Sequence, residues 1–149
     1  MELQQLIEQL TCSDTKIANQ SLNELLAISE QSNEVYAYFN LFIEMMNHET
    51  NSYIRTRGLR LIAYNTKWDS ENIMNKYIDE WLQHIEDEKP ITSRLCINDT
   101  VIIAKYKPEL IDVILKRLNE YHRIYNDSMQ SLIYKDREKA KRQIKLITW

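Results

Sequence analysis

Residues 51–65 read NSYIRTRGLRLIAYN. At about 100° per residue, Ile54, Gly58, Leu61, Ile62 and Asn65 gather on one side of a helix, the spacing of an apolar stripe. Tyr53, Arg57, Arg60 and Tyr64 fall together on another face, at intervals of 4, 3 and 4 residues. Asn51 or Ser52 supplies the side-chain oxygen that caps such a helix. The glycine in mid-helix is the informative residue. A small side chain there would let a neighbouring helix approach closely. Gly58 is the only glycine in 149 residues, where average usage of about 7% predicts roughly ten.

The same count removes whole function classes. Glycine-rich phosphate loops, dinucleotide fingerprints and nucleophile elbows cannot be written with one glycine. With only two prolines as well, the tight turns of an all-β fold have no residues to form them. At 44% hydrophobic and 28% charged, the chain has an ordinary globular composition.

Outward from residues 51–65 the helical period continues in both directions. Leu3, Leu6, Ile7 and Leu10 form a first stripe. Asp14 caps a second helix carrying Ile17, Ser21, Leu22, Leu25 and Leu26, and Asn33 caps a third running through Val35 to Met46. Ser70 opens a fifth that carries Ile73, Ile78 and Trp81, with Trp81 expected in the core. Pro90 suits the first turn of a sixth, reaching Tyr106. Pro108 opens a seventh, and Asp127 or Ser128 an eighth that reaches Ile147. Trp68, between helices, is read as a wedge closing a core.

A repeat runs through the even-numbered helices. A small residue followed by an aliphatic one recurs as Ser21-Leu22, Gly58-Leu59, Cys96-Ile97 and Ser131-Leu132, with spacings of 37, 38 and 35 residues. Two-helix units of this length are the size of HEAT and tetratricopeptide repeats. The stretch Tyr53 to Ala63 resembles the second helix of a HEAT repeat, with an aliphatic-Arg pair (Ile54, Arg55), a small residue three positions later (Gly58) and a Leu-rich run (Leu61, Ile62). Pro90 to Ala104 follows it more loosely, with Ser93 in place of the arginine and Cys96 in place of the small residue. The resemblance implies an all-α fold, a single α–α superhelix of about four antiparallel helix pairs, over approximate units 1–31, 33–67, 70–106 and 108–147. It also implies that the second helices line a concave face, and that the protein is a scaffold for proteins or, in some relatives, nucleic acids.

On that basis Tyr53, Arg57, Arg60 and Tyr64, Arg94, Asn98 and Lys105 on the sixth helix, and Arg137 and Lys141 on the eighth are the expected partner-binding ridge. Arginine and tyrosine are enriched at binding hot spots. The ridge would engage a protein or peptide. The second reading is nucleic acid, since the same cations can track phosphates. HEAT-like proteins that excise alkylated bases from DNA use such a face, but this chain is short, net acidic at −3, and has no aspartate assignable to base removal. The third reading is a structural subunit, because charge is graded: −7 over residues 1–50, −1 over 51–100 and +5 over 101–149. Acidic and basic ends would then associate head to tail, as a monomer or weak homo-oligomer in free form.

The remaining chemistry-bearing residues read as structural. His48, His84 and His122 are spaced 36 and 38 residues apart, but equivalent positions in stacked helices lie roughly 8–10 Å apart, whereas zinc needs nitrogens about 2 Å from one centre. Glu86-Asp87-Glu88 reads as a solvated loop leading into a helix, and Cys96 as a small core residue. No catalytic residue, cofactor or metal is expected. Two cysteines without a CxxC, no run of 18 apolar residues and an acidic Met1–Leu10 segment give the expectation of a reducing cytoplasm. Trp149 is expected either to dock on the last helix pair or to bind a partner.

Overall fold

The computed structural model describes residues 1–147; the expectation for Trp149 lies outside the described residues. Among these residues all regular structure is helical: α1 (Leu3–Gln9), α2 (Thr15–Gln31), α3 (Phe39–Met46), α4 (Ser52–Asn65), α5 (Ile73–Gln83), α6 (Pro90–Tyr106), α7 (Ile111–Leu118) and α8 (Asp127–Ile147). Short 3-10 turns precede α3 and α7 and follow α4 and α5. The chain divides into two compact units, Met1–Asp69 and Ser70–Trp149.

In the first unit α1 packs on α2, and α4 packs on both α2 and α3. The caps sit where their residue types predict. The Asp14 carboxylate accepts the Lys16 and Ile17 amides at 3.0 and 3.3 Å, and the Asn51 side-chain oxygen accepts those of Tyr53 and Ile54 at 3.0 and 3.3 Å. Gly58 is the point of closest approach between α3 and α4. A Cβ there would lie 2.7 Å from the Met45 Cβ, 2.8 Å from the Phe42 carbonyl oxygen and 2.9 Å from the Met46 nitrogen. Leu6, Leu10, Leu25, Phe39, Phe42, Met46, Leu61 and Ile62 fill the core around this contact. Ser29 ties α2 to α4 and to the turn after it: its hydroxyl accepts from Asn65 Nδ2 at 3.0 Å, and its carbonyl accepts from Trp68 Nε1 at 2.7 Å. Trp68 therefore does close a seam, half-buried and hydrogen-bonded.

The third helix starts later than its apolar pattern predicts. Residues Val35–Tyr38 form a 3-10 turn, and α3 begins at Phe39. In a 3-10 turn side chains three apart eclipse each other. That brings the Tyr36 and Phe39 rings to 5.2 Å, while the Tyr36 hydroxyl reaches the Asp69 carboxylate at 2.6 Å.

In the second unit α6 is the central helix, packed on α8, on α7 and on the turn His84–Glu86 that ends α5. Trp81 is fully buried, and Pro90 occupies the first turn of α6. Ser21, Gly58 and Cys96 are all buried, but the fourth small-aliphatic pair departs from the pattern, because Ser131 and Leu132 are exposed. Instead α8 buries Ile133, Arg137, Ala140 and Ile144. Ser131 lies about 160° round the helix from Ile133, so once that stripe faces α6, Ser131 must face water.

Candidate functional site

The nine residues of the expected ridge separate into three groups. Arg57 and Arg137 are buried, at 3% and 1% exposure. They do not present to solvent, which corrects the reading of these two as contact residues. The physical reason is the same for both. Arg57 Nη1 donates to the Leu10 carbonyl at 2.9 Å and Nε to Asn19 at 3.4 Å, closing the C-terminal end of α1. Arg137 Nη1 donates to the carbonyls of Arg117, Leu118 and Glu120 at 3.3, 3.2 and 2.7 Å, closing the end of α7. A cation at a helix C-terminus meets orphan carbonyls and the negative end of the dipole. Burial pushes both guanidinium groups below their ordinary value, opposed at Arg57 by Cys12 and Tyr53 and at Arg137 by Tyr121, Glu86 and Tyr125.

Arg94 and Lys141 are half-buried and committed to neighbours. Arg94 Nε donates to Asp136 at 2.6 Å, joining α6 to α8, and that hydrogen bond raises the arginine's affinity for its proton. Lys141 pairs with Glu138 and donates to Asn119 at 2.9 Å.

The third group reaches solvent, Tyr53, Asn98 and Lys105 exposed and Arg60 and Tyr64 half-buried. Tyr53 is 62% exposed. The Arg60 guanidinium lies 5.5 Å from the centre of the Tyr64 ring, with Nη2 3.5 Å from the Tyr64 hydroxyl. These three share one strip of α4, and the rest of that helix is largely buried because α2 and α3 both pack on it. Asn98 and Lys105 are exposed on α6, Lys105 lying 5.3 Å from the Tyr106 ring centre. On α8 the exposed cations are Lys135, Lys139, Arg142 and Lys145.

Buried donors to helix ends recur at related positions. Arg55 Nη1 donates to the His48 and Glu49 carbonyls at 3.2 and 3.4 Å, just after α3. Ser93, 38 residues later, is fully buried and its hydroxyl donates to the Ile85 carbonyl, just after α5. The aliphatic-Arg pair and its serine counterpart thus do one job, joining an even helix to the end of the helix before it. Sequence reasoning found the motif and missed the job.

The Glu86-Asp87-Glu88 stretch also departs from expectation. It is not a solvated loop at its start: Glu86 and Asp87 are buried. One Glu86 carboxylate oxygen accepts the His122 and Arg123 amides at 2.6 and 2.7 Å. The Arg117 and Arg137 guanidinium groups lie 3.5 and 3.9 Å from the carboxylate, and Arg123 Nε donates to the Glu86 carbonyl at 2.8 Å. Burial alone would raise the Glu86 pKa; the two amide hydrogen bonds and the Arg137 and Arg117 charges outweigh it and hold the carboxyl below its ordinary range. Asp87 bonds His84 Nδ1 at 3.0 Å and the Lys89 amide at 2.9 Å. The sequence signal for this hub was an acid four residues before the first residue of α6, and its partners lie 36 and 37 residues away.

His48 accepts the Asn51 amide at 3.1 Å, and His122 is exposed. Among the described residues no three His, Cys, Asp or Glu side chains are grouped to hold a metal ion, and no helix is long and apolar enough to cross a membrane. Comparison with known proteins finds no matching family model, no matching curated protein and no matching solved structure.

The contrast within α4 predicts a contrast in stability. Arg57→Met keeps most of the buried stem but leaves the Leu10 carbonyl without its donor, a loss of about 2 kcal/mol. Tyr53→Ala, on the exposed strip, should stay within about 0.5 kcal/mol of wild type. Urea unfolding midpoints compare the two directly, and an unchanged midpoint for Arg57→Met would remove the capping role.

Proposed function

We propose that this protein is a non-catalytic binding module that engages a protein or peptide through the Tyr53–Arg60–Tyr64 strip of α4. The observation that carries this reading is the division of labour on α4. Arg55 and Arg57 are buried on helix ends, whereas Arg60 lies half-buried against the Tyr64 ring on the same side of α4 as the exposed Tyr53. The strip spans about 16 Å by helical rise, enough for two or three turns of a partner helix or an extended segment. Tyrosine and arginine combine large contact area with hydrogen-bonding tips, the composition of binding hot spots.

The arrangement we favour is HEAT-like, with even helices packed on the helix before them. The α1–α2 and α3–α4 packing and the repeated buried donors at Arg55 and Ser93 support it. A cytoplasmic setting is part of the same proposal and rests on the sequence features alone.

The test compares proteins retained from native lysate by immobilised wild type and by a Tyr53→Ala, Arg60→Glu double variant whose helicity is checked by circular dichroism. A partner retained by wild type and lost from the variant is the expected result. Identical retention by both would refute the α4 strip as the site. Arg57→Glu is unsuitable for this purpose, because an acid would face the Leu10 carbonyl in the core.

The exposed cations Lys135, Lys139 and Arg142 on α8 favour nucleic acid as the second reading. Binding of this kind weakens steeply with salt. Affinity for a mixed-sequence duplex should then fall when Lys135→Glu and Lys139→Glu are combined, and should be indifferent to the α4 changes.

A further inference from the structure

We propose that the cleft at the start of α8 binds a cationic side chain of a partner protein, best the guanidinium of an arginine. The cleft has a volume of about 480 Å³ and is lined by Tyr121, Asp127, Gln130, Ser131 and Tyr134. The two tyrosine ring centres lie 6.4 Å apart with their planes tilted by 31°. Both rings reach solvent, at 42% and 52% exposure. Aromatic faces carry negative potential and attract cations within about 6 Å of the ring centre.

Asp127 decides the sign of the ligand. It is the one charged residue among those that line the cleft, and it is exposed in the first turn of α8. An anion would meet this carboxylate and the ring faces together. A cation meets attraction from all three, set against the positive N-terminal end of the α8 dipole, which the Asp127 carboxylate offsets. A guanidinium suits them better than an ammonium, because it is flat, stacks on tyrosine and can present two N–H groups to one carboxylate.

The Tyr121 ring already holds one cation, so Tyr134 and Asp127 supply most of the attraction for a second. The buried Arg137 guanidinium carbon lies 4.1 Å from the Tyr121 ring centre. The wall carrying Tyr121 is also held in place. Glu86 accepts the amides of the next two residues, and the Tyr125 amide donates to Gln130 Oε1 at 3.0 Å. Tyr134 is steadied from α8 by its hydroxyl, which donates to Glu138 at 3.3 Å. A cleft with pinned walls loses little ordering entropy when it is filled. The site shares no residue with the α4 strip, so either can fail without the other.

The test is an aromatic-proton NMR titration of the full chain with an acetylated, amidated Gly-Arg-Gly peptide. The same peptide with citrulline is the control, having the same shape without the charge. The arginine peptide should shift the Tyr121 and Tyr134 ring signals with millimolar affinity. The citrulline peptide should bind at least threefold more weakly, as should the Asp127→Asn variant with the arginine peptide, in keeping with exposed charge pairing. Asp127 is exposed, so Asp127→Asn should leave the fold unchanged. Tyr134→Ala should remove the remaining shift. Equal shifts from arginine and citrulline, shifts unaffected by Asp127→Asn, or no shift of either ring would overturn the proposal.

Discussion

Replacing Glu86 by alanine should cost about 3 kcal/mol of stability, the largest single-residue loss expected in the second unit. Two costs combine. The part-buried His122 and Arg123 amides lose the acceptor they share, and an amide left without a partner costs about 1–3 kcal/mol where water cannot replace it. Arg137, 1% exposed, loses its nearest opposite charge, and breaking a buried pair from one side costs about 3–5 kcal/mol when the charge cannot reach water. The lower end applies here because Arg137 keeps its three carbonyl acceptors. Glu86→Gln keeps an oxygen for the amides and should lose roughly half as much.

The same pair of proteins yields a pH test. The folded Glu86 pKa lies below its ordinary value, so the group adds stability above the unfolded-state pKa, about 4.3 for glutamate. That contribution disappears as the pH falls through the folded value. Wild type should therefore exceed Glu86→Gln in stability at pH 7, and the gap should close in acid, where the protonated glutamate resembles glutamine. Urea midpoints across pH 3–7 measure the gap. A constant gap would mean that the carboxylate charge does not contribute.

Gly58→Ala should destabilise the first unit by about 2 kcal/mol, although alanine is the better helix former. Propensity favours the change by about 1 kcal/mol. Against it stand three contacts of the new methyl at 2.7–2.9 Å, two of them with backbone atoms of α3. Backbone cannot rotate away as a side chain can, so α3 and α4 must separate. Overpacking of this kind costs 1–3 kcal/mol and occasionally more, and the separation also loosens the packing around Phe42 and Met46. Gly58→Val adds a branched side chain to the same gap and should prevent folding. The midpoint of chemical unfolding with an unchanged slope reads the effect of the alanine variant. An alanine variant as stable as wild type would mean that the helix contact relaxes freely, and that the glycine has no packing role.

The candidate site divides along the same physical line. Periodicity placed Tyr53, Arg57, Arg60 and Tyr64 on one side of a helix, and that angular grouping is present. It could not say how wide the buried arc would be. Because α4 packs on two helices, the arc extends far enough to take in Arg57, whose long side chain then reaches the end of α1. Arg137 was predicted to face outward with Lys141, yet it sits on the stripe of Ile133, Ala140 and Ile144. A row of charges at helical spacing is the same whether it faces water or a set of carbonyls, so the sequence carries no local mark of the difference.

What the sequence determined by itself is the set of local decisions. The scarcity of glycine and proline, the helical spacing of apolar residues, the caps at Asp14 and Asn51, Pro90 in a first turn and Trp81 in the core all act within a few residues of where they are read. Tertiary structure alone decided which polar groups became internal. Arg57, Arg137 and Glu86 bond to groups 47, 17 to 20 and 36 to 37 residues away. A buried charge is tolerated only where such a partner arrives, and that arrival depends on how the helices pack.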